Sequence, residues 1–348
     1  MQTKPDITDE AIVTAVHDHY GLRVQTLQFW PAGEASYGFV ASLDDSRSLF
    51  LKVLDPTLAT HGVASAHLGM VLPLSLALSE MGLPVSRPVQ SRTGMFHAEV
   101  DRFILVAFEF LHGGTLGEKP WSADLYAQLG KSVGRLHGLT SELSELITPR
   151  DGTAIPSRGD IVRLLDQIEA ASDSQRAARR RLSEVVTPLR SQVLQYCDTM
   201  SLLSEEVQET RADWVLCHTD LTGGNLIECE DATVHIIDWE GACLAPREFD
   251  LAFFADEPFQ QRYGRFLEEY TRAVGDDQLR EQAFVLRMYH RNFEDFVEGS
   301  KFVLEQDLDD TELDHALDVV LDDCVYDWPY FSEGAQKHRE FMRIWSEG

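Results

Sequence analysis

Basic residues are scarce in this chain of 348 residues: 30 Lys and Arg stand against 58 Asp and Glu, which leaves a formal net charge of −28. A field of that sign repels nucleic acid and anionic membranes, and it attracts cations, metal ions and amine-bearing ligands. We therefore expect neither a nucleic acid nor a membrane as a partner. A second interpretation is that the charge serves only solubility, because surface charge bears on association rather than on fold.

Cysteine and long hydrophobic runs are scarce as well. The 5 cysteines are odd in number and form no CxxC pair, which argues against a disulfide framework or a structural zinc site and fits a reducing compartment. The longest uninterrupted apolar run, Phe103–Phe108, is far too short to span a bilayer. The N-terminal segment lacks the apolar core of a signal peptide. These features predict a soluble, cytoplasmic protein and leave its oligomeric state open.

The first part of the chain is rich in strand patterns. Thr8 caps a predicted helix that Gly21 ends, and a predicted hairpin with its turn at residues 44–46 follows. Residues 57–81 have a helical composition interrupted by Pro73, and residues 96–111 contain two further predicted strands.

The pattern changes at the glycine pair Gly113-Gly114. From about Thr115 onward the apolar residues recur with helical spacing, except in a strand-like stretch over residues 214–241. This predicts an α+β protein with a small β-rich N-terminal lobe, residues 1–111, and a larger, mostly helical lobe, residues 112–348. The hinge between the two lobes is expected near residues 108–114.

The most informative segment is a polar loop within residues 214–241. It contains His218, Asp220 and, five residues after this aspartate, Asn225, with two intervening glycines that let the backbone turn tightly. A second aspartate, Asp238, ends the next apolar run. One aspartate can orient an attacking hydroxyl, while the amide and the second carboxylate offer the oxygen ligands that Mg²⁺ prefers. The set favours phosphoryl transfer over a polar hairpin with Asx turns, which would explain only single residues.

This segment resembles the catalytic and metal-binding motifs of the aminoglycoside phosphotransferase family, relatives of the choline kinases and of the protein kinases. The stretch WVLCHTDLTGGNLI…VHIIDWEGACLAPREFDLAFF looks particularly like spectinomycin phosphotransferases within that family. The match has several parts in the right order, namely HxDxxxxN, an apolar strand, IDW and then Asp-Leu-Ala. The resemblance implies a bilobal, protein-kinase-like fold over essentially the whole chain, and a kinase that uses ATP or GTP together with Mg²⁺.

The resemblance also implies a role for each matching residue. Asp220 would be the catalytic base, and His218 would order the loop around it. Asn225 and Asp238 would be the metal ligands. Asp250, in the Pro-x-x-x-Asp-Leu pattern that follows, would brace the catalytic loop from a helix N-terminus.

Candidate nucleotide-binding residues lie in and near the N-terminal lobe. Lys52 follows a short apolar run, as expected of a strand lysine that contacts the α- and β-phosphates, although by itself it also fits a snorkelling lysine. The loop that contains Gly33 and Ser36 could cover the phosphates with backbone N–H groups. Glu109 and Leu111 belong to the predicted hinge, whose backbone would contact the base.

One feature of the family is missing from the sequence. Kinases of this kind pair the strand lysine with a glutamate on the next helix, yet the only acid between Lys52 and Ser79 is Asp55, and Glu80 lies at the predicted helix end. Either another group holds the lysine, or the helix is placed differently, or the site is degraded. The last alternative corresponds to a pseudokinase that binds nucleotide without turnover.

The C-terminal part offers many acids to an acceptor, since residues 305–327 contain neither Lys nor Arg. Carboxylates and aromatic faces suit a protonated amine, although a run of acids is also typical of a solvated helix face. The candidate acceptor-binding residues are Trp239, Glu240, Glu294, Asp295 and Glu298. An aminoglycoside or aminocyclitol such as spectinomycin is the first acceptor to consider. Choline, ethanolamine, homoserine or a methylthio-sugar is the alternative, and fold similarity does not separate them.

Overall fold

The computed structural model describes residues 4–31, 36–57, 59–117, 121–147, 152–252, 263–275, 279–306 and 308–326. The chain forms two compact units, and neither is a continuous stretch of sequence. The first unit combines residues 1–150, 215–244 and 257–277, and the second combines residues 151–214, 245–256 and 278–348. The expected division into a nucleotide-binding lobe, residues 1–111, and a catalytic lobe, residues 112–348, is a division by function, and it stays a prediction.

The strands lie in the first unit, apart from the last residue of β10. They are β1 (Val24–Trp30), β2 (Tyr37–Leu43), β3 (Ser48–Leu54), β4 (His97–Val100), β5 (Phe103–Glu109), β6 (Gly113–Thr115), β7 (Val215–Cys217), β8 (Leu226–Cys229), β9 (Val234–Ile236) and β10 (Cys243–Ala245). The helices are α1 (Asp9–Ala15), α2 (Ala59–Glu80), α3 (Ala123–Gly138), α4 (Arg158–Ala170), α5 (Ala177–Val186), α6 (Arg190–Gln208), α7 (Glu248–Leu251), α8 (Tyr263–Val274), α9 (Glu281–Glu305) and α10 (Asp310–Val319).

An antiparallel sheet of five strands, in the order β1-β2-β3-β5-β4, forms the N-terminal part of the first unit. The predicted hairpin is β2–β3, and Ser46 in its turn has a positive φ of 71°. Alternate residues such as Leu51 and Val53 on β3 are buried in one core, because successive side chains of a strand point to opposite faces. Lys52, between them, therefore points to the opposite face of the sheet.

The predicted first helix is confirmed, with Thr8 accepting a hydrogen bond from the N–H of Ala11. A π-helical turn, Val16–Tyr20, continues α1 and ends at Gly21, whose φ of 71° suits glycine. The predicted interruption at Pro73 is not observed, because α2 runs through this residue to Glu80. Proline removes one helical hydrogen bond, and the buried side chains around it, Val71, Leu72, Leu74 and Leu78, stabilise the helix by packing.

Helices α3 and α8 pack tightly within the first unit. The predicted apolar stripe on α3 is buried, and two glycines, Gly130 and Gly134, lie on a neighbouring face of the same helix. A Cβ atom on Gly130 would lie only 2.1 Å from the carbonyl oxygen of Phe266, and one on Gly134 would lie 2.7 Å from the Cβ of Ala273. The absence of these two side chains lets the helix backbones approach closely.

The second unit is helical, with a core that includes the predicted stripe on α4 and aromatic residues of α6 and α9. Arg179 on α5 donates hydrogen bonds to Val303 O and Gln306 O, both at 3.0 Å, and so caps the C-terminus of α9. The acid-rich stretch contains α10, and Asp309 begins this helix with a capping box. In the part of the chain that the structure describes, no helix combines the length and the apolar character needed to cross a membrane.

Candidate active site

The loop that contains His218, Asp220 and Asn225 begins directly after β7, and His218 is buried. Its Nδ1 atom accepts a hydrogen bond from the N–H of Asp220 at 3.2 Å, so the proton of a neutral imidazole lies on Nε2 and is donated to Ile237 O at 2.9 Å. The ring also makes an edge contact with Trp239, at 4.7 Å between ring centroids. His218 thus connects the loop that carries Asp220 to the segment that carries Asp238, as a loop-ordering role requires.

Asp220 has its two carboxylate oxygens in different environments. Oδ2 accepts a hydrogen bond from Nδ2 of Asn225 at 2.8 Å, and the same Nδ2 lies 3.0 Å from the backbone oxygen of Asp220. Oδ1 is buried and has no hydrogen-bond partner among the described residues. One oxygen is therefore oriented by Asn225, and the other is left without a donor in the described part of the chain.

Backbone geometry places the second aspartate next to this loop. Ile237 N donates to Asn225 O at 2.9 Å, and Asp238, which follows, adopts a left-handed conformation with φ of 68°. Thr219 is left-handed as well, with φ of 69°, and its Oγ1 donates to Gly241 O at 3.1 Å. Non-glycine residues in this region are strained, and such strain is typical of functional sites.

Glycine is required where the two segments meet. A Cβ on Gly241 would lie 2.7 Å from Oγ1 of Thr219, and one on Gly223 would lie 1.9 Å from the backbone oxygen of Gly117. Gly223 of the HTDLTGGN motif and Gly241 of the DWEG motif are therefore placed where neighbouring segments approach closely.

Lys52 reaches the same site from β3. Its Nζ forms ion pairs with a carboxylate oxygen of Asp238 and, at 2.8 Å, with Oε1 of Glu240. Burial lowers the pKa of Lys52, but the two carboxylates more than reverse this, so its pKa lies above the usual value. For Asp238, burial raises the pKa, and Lys52 outweighs this effect and holds it well below its usual range.

Glu240 shares the lysine with Asp238 and titrates differently. Burial raises its pKa, Lys52 opposes this, and the nearby charge of Asp238 adds to the increase, which places the pKa at about 7. Glu240 was predicted as an acceptor-binding residue, and the structure places it on Lys52. The sequence contained a signal for this arrangement, because Asp238 and Glu240 are separated by one residue across a turn that can direct both carboxylates to the same side.

Asp55 and Glu80, the two acids near Lys52 in sequence, have other basic or polar partners. Asp55 is buried and accepts hydrogen bonds from Arg102 Nε at 2.9 Å and from Oγ1 of Thr57 at 2.6 Å. Glu80 lies 3.3 Å from a guanidinium nitrogen of Arg87. The alternative that another group holds Lys52 therefore agrees with the geometry.

The remaining nucleotide-side candidates differ in what the structure shows of them. Ser36 is half-buried directly before β2, and Gly33 lies outside the described residues. The N–H of Glu109 donates to Arg87 O at 2.9 Å. Among the described residues, no backbone oxygen accepts a hydrogen bond from the N–H of Leu111.

The acceptor-side candidates lie in both units. Trp239 is buried, and its indole N–H donates to Ile236 O at 3.2 Å. Glu294, Asp295 and Glu298 lie on α9 in the second unit. Asp250 is also in the second unit, where it is buried in α7. Their roles in acceptor binding and in bracing the loop stay predictions.

Two of the α9 acids have basic partners one helical turn away. Glu294 lies 3.1 Å from Nδ1 of the buried His290, and Asp295 lies 3.0 Å from Nε of Arg291. Burial raises the pKa of Glu294, but His290 outweighs this, so the pKa lies below its usual value. Burial, together with the charges of Glu294 and Asp295, raises the pKa of Glu298.

A lysine on a strand of an antiparallel sheet, a loop with an Asp and an Asn, and a second aspartate beside the lysine form an arrangement typical of protein-kinase-like phosphotransferases. The family described as "Phosphotransferase enzyme family" matches residues 29–284, and the chain belongs to this family. It is a nucleotide-dependent phosphotransferase with an alcohol group as acceptor. The predicted α+β, protein-kinase-like fold is confirmed. A comparison with curated protein sequences gave no match.

Several solved structures share the fold. A spectinomycin phosphotransferase, in complex with ADP and spectinomycin, superposes with a TM-score of 0.73 at 19% identity, covering 91% of this chain and 95% of that chain. An aminoglycoside phosphotransferase from Alicyclobacillus acidocaldarius gives 0.56 at 15% identity, covering 99% and 97%. An ethanolamine kinase from Plasmodium vivax gives 0.52 at 13% identity, covering 85% and 80%.

Proposed function

We propose that this protein transfers the γ-phosphate of ATP or GTP to a hydroxyl of a small amine-bearing acceptor, and that an aminocyclitol such as spectinomycin is the first acceptor to test. The observation that carries the proposal is the Asp220 carboxylate, with one oxygen held by Asn225 and the other buried and unpartnered within the described residues. Such a carboxylate can orient an acceptor hydroxyl and accept its proton.

The proposed roles around Asp220 follow from its neighbours. Asn225 holds the base in one orientation, since its Nδ2 donates to both the backbone and the side chain of Asp220. His218 keeps the loop in register with Ile237. Asp220 would receive the proton of the acceptor hydroxyl on Oδ1 as the hydroxyl oxygen bonds to the γ-phosphorus, while the bond from this phosphorus to the β–γ bridging oxygen breaks and the nucleoside diphosphate leaves.

Asn225 and Asp238 would hold Mg²⁺, and the donor set fits this ion. The side-chain nitrogen of Asn225 is bonded to Asp220, so the amide oxygen is the atom that would contact the ion. The carboxylate of Asp238 stays ionised because Lys52 depresses its pKa. Amide and carboxylate oxygens are the hard ligands that Mg²⁺ prefers, and the ion would neutralise charge on the phosphate oxygens.

The nucleotide would bind between Lys52 and the hinge. Lys52 lies on the face of β3 opposite the core, and it would contact the α- and β-phosphates. The backbone of the hinge, at Glu109 and Leu111, would contact the base. The loop with Gly33 and Ser36 is proposed to cover the phosphates. The pseudokinase alternative loses its motivation, because Lys52 does have carboxylate partners.

A cationic acceptor is supported by the net charge of −28 and by the acids on α9. The similarity to a spectinomycin phosphotransferase over 91% of the chain favours an aminocyclitol. The similarity to an ethanolamine kinase supports an amino alcohol, such as ethanolamine or choline, as the second candidate.

The test is a magnesium-dependent assay of ADP and GDP release against aminoglycosides, spectinomycin, choline, ethanolamine and other amino alcohols. We expect turnover with one acceptor class and its loss in Asp220→Ala. Nucleotide binding without transfer to any amine in a broad panel would support the pseudokinase instead. Full activity of Asp220→Ala would contradict the assignment of the base.

A further inference from the structure

A strand lysine in a phosphate site needs a lasting anionic partner. Lys52 has only 16% of its side chain exposed, and a buried ammonium group is costly unless it is paired and hydrogen-bonded. The helix after β3 does not supply this partner, because α2 carries a single acid, Glu80, at its last position, and this residue is bound to Arg87. The partner must come from another part of the chain.

Asp238 and Glu240 both contact Lys52, but the proposed function gives them different second tasks. A metal ion bound by Asp238 competes with Lys52 for the same carboxylate, since both cations attract it. Glu240 Oε1, 2.8 Å from Nζ of Lys52, supplies a second carboxyl oxygen that would leave the lysine paired if Asp238 bound a metal.

The backbone around Glu240 directs its side chain to the lysine. The 3-10 turn Trp239–Gly241 follows the left-handed Asp238, and Trp239 secures it by donating its indole N–H to Ile236 O. On the other side, Gly241 accepts a hydrogen bond from Oγ1 of Thr219. With both neighbours held, Glu240 has only 22% of its side chain exposed.

From this geometry we infer that Glu240 is the positioning residue of Lys52, in the place that a glutamate of the following helix would otherwise take. This inference rests on the proposed function, because it assigns Lys52 to nucleotide phosphates. Glu240 acts through Lys52 on nucleotide binding and does not contact the acceptor.

The experiment measures the affinity of the purified protein for ATP and ADP by calorimetry, both with Mg²⁺ and in EDTA. We expect Glu240→Gln to weaken nucleotide binding by about 10- to 100-fold under both conditions, as loss of a partner behind a liganding group does. Glu240→Asp keeps the charge and should recover part of the affinity. Glu99→Gln, on the exposed part of β4, is the matched control and should bind like the wild type.

A double-mutant cycle separates this role from others. If Glu240 acts through Lys52, Lys52→Met/Glu240→Gln binds nucleotide as Lys52→Met does, within about a factor of two. Independent losses that multiply in the double variant would overturn the inference. So would unchanged nucleotide affinity with a raised acceptor KM, which indicates an acceptor contact, or a defect seen only with Mg²⁺, which indicates a metal ligand.

Two readouts keep the outcome interpretable. Thermal unfolding of each variant shows whether the fold is kept, and Glu240→Asp carries the test if Glu240→Gln does not fold. Unchanged nucleotide affinity in Glu240→Gln counts against the inference. So does a Glu240→Asp variant that binds nucleotide no better than Glu240→Gln. A wild-type protein that binds no nucleotide would overturn the proposed function and this inference together. Wild-type binding that Glu240→Gln leaves unchanged would overturn the inference alone.

Discussion

At the scale of single residues, the site depends on carboxylates that are kept in distinct states by their neighbours. Asp238 is held ionised by Lys52, whereas the pKa of Glu240 is raised to about 7 by burial and by Asp238. Asp220 is oriented by a neutral amide and not by a cation. The described hydrogen bonds of the Asp220 carboxylate therefore fix its orientation, and the base role proposed for it needs a direct test.

Replacing Asp220 by Asn tests this role with little change of shape. We expect kcat to fall on the order of 10²–10⁴-fold, because the amide cannot accept the acceptor's proton, while the affinity for nucleotide stays unchanged. Steady-state kinetics and calorimetry measure the two quantities. Asp314→Asn, on the exposed face of α10, is the control and should retain full activity. A parallel loss of nucleotide affinity would mean that Asp220 acts in binding.

At the scale of helices and strands, glycines decide how closely segments approach. Gly130 and Gly138 lie on the same helix, α3, but only Gly130 faces α8, since nothing lies within 4 Å of a Cβ built on Gly138. The two positions therefore separate the cost of crowding from the general effect of replacing glycine in a helix.

We expect Gly130→Ala to lower the free energy of unfolding by about 1–3 kcal/mol, because the new methyl group would lie 2.1 Å from the Phe266 carbonyl oxygen. Gly138→Ala should be neutral or stabilise the protein by up to about 1 kcal/mol, since alanine favours a helix. Chemical denaturation measures both variants. Equal effects at the two positions would rule out close helix packing as the cause.

Arg179 gives a second prediction at this scale. Arg179→Ala removes two hydrogen bonds from the carbonyl groups at the end of α9. Because one charged hydrogen-bonding group is lost, we expect the free energy of unfolding to fall by about 1.5–3 kcal/mol. Arg163→Ala on α4 removes only an exposed ion pair with Asp160 and should cost less than about 1 kcal/mol. Thermal unfolding distinguishes the two. A cost for Arg179→Ala no greater than that of the control would contradict the capping role.

Contacts that are local in sequence could be predicted, and long-range ones could not. The capped first helix, the hairpin at residues 44–46 and the Asp220–Asn225 loop depend on residues a few positions apart, so their patterns are visible in the sequence. The pair of Lys52 with Glu240 joins residues separated by 188 positions, and no periodicity encodes it. The continuity of α2 through Pro73 likewise depends on packing, which outweighs the local preference of proline.

At the scale of the whole molecule, the net charge of −28 acts on binding of ligands in solution. For an amine acceptor, we expect kcat/KM to fall as ionic strength rises, because salt screens the attraction. The affinity for ATP, an anion, should respond less strongly or in the opposite direction. Steady-state kinetics over a salt series, with a neutral acceptor analogue as the control, measures the effect. Equal salt dependence for the amine and its neutral analogue would exclude electrostatic steering of the acceptor.

The interleaved order of the two units has a consequence for synthesis of the chain. The first unit draws on residues 1–150, 215–244 and 257–277, so α3 leaves the ribosome long before α8, its packing partner, has been translated. Until then the Gly130 face of α3 has no cover, although the Asp220 loop and the Asp238 segment that it contacts are already on the chain. The N-terminal sheet can form early during translation, but the site that gives the protein its chemistry is completed late.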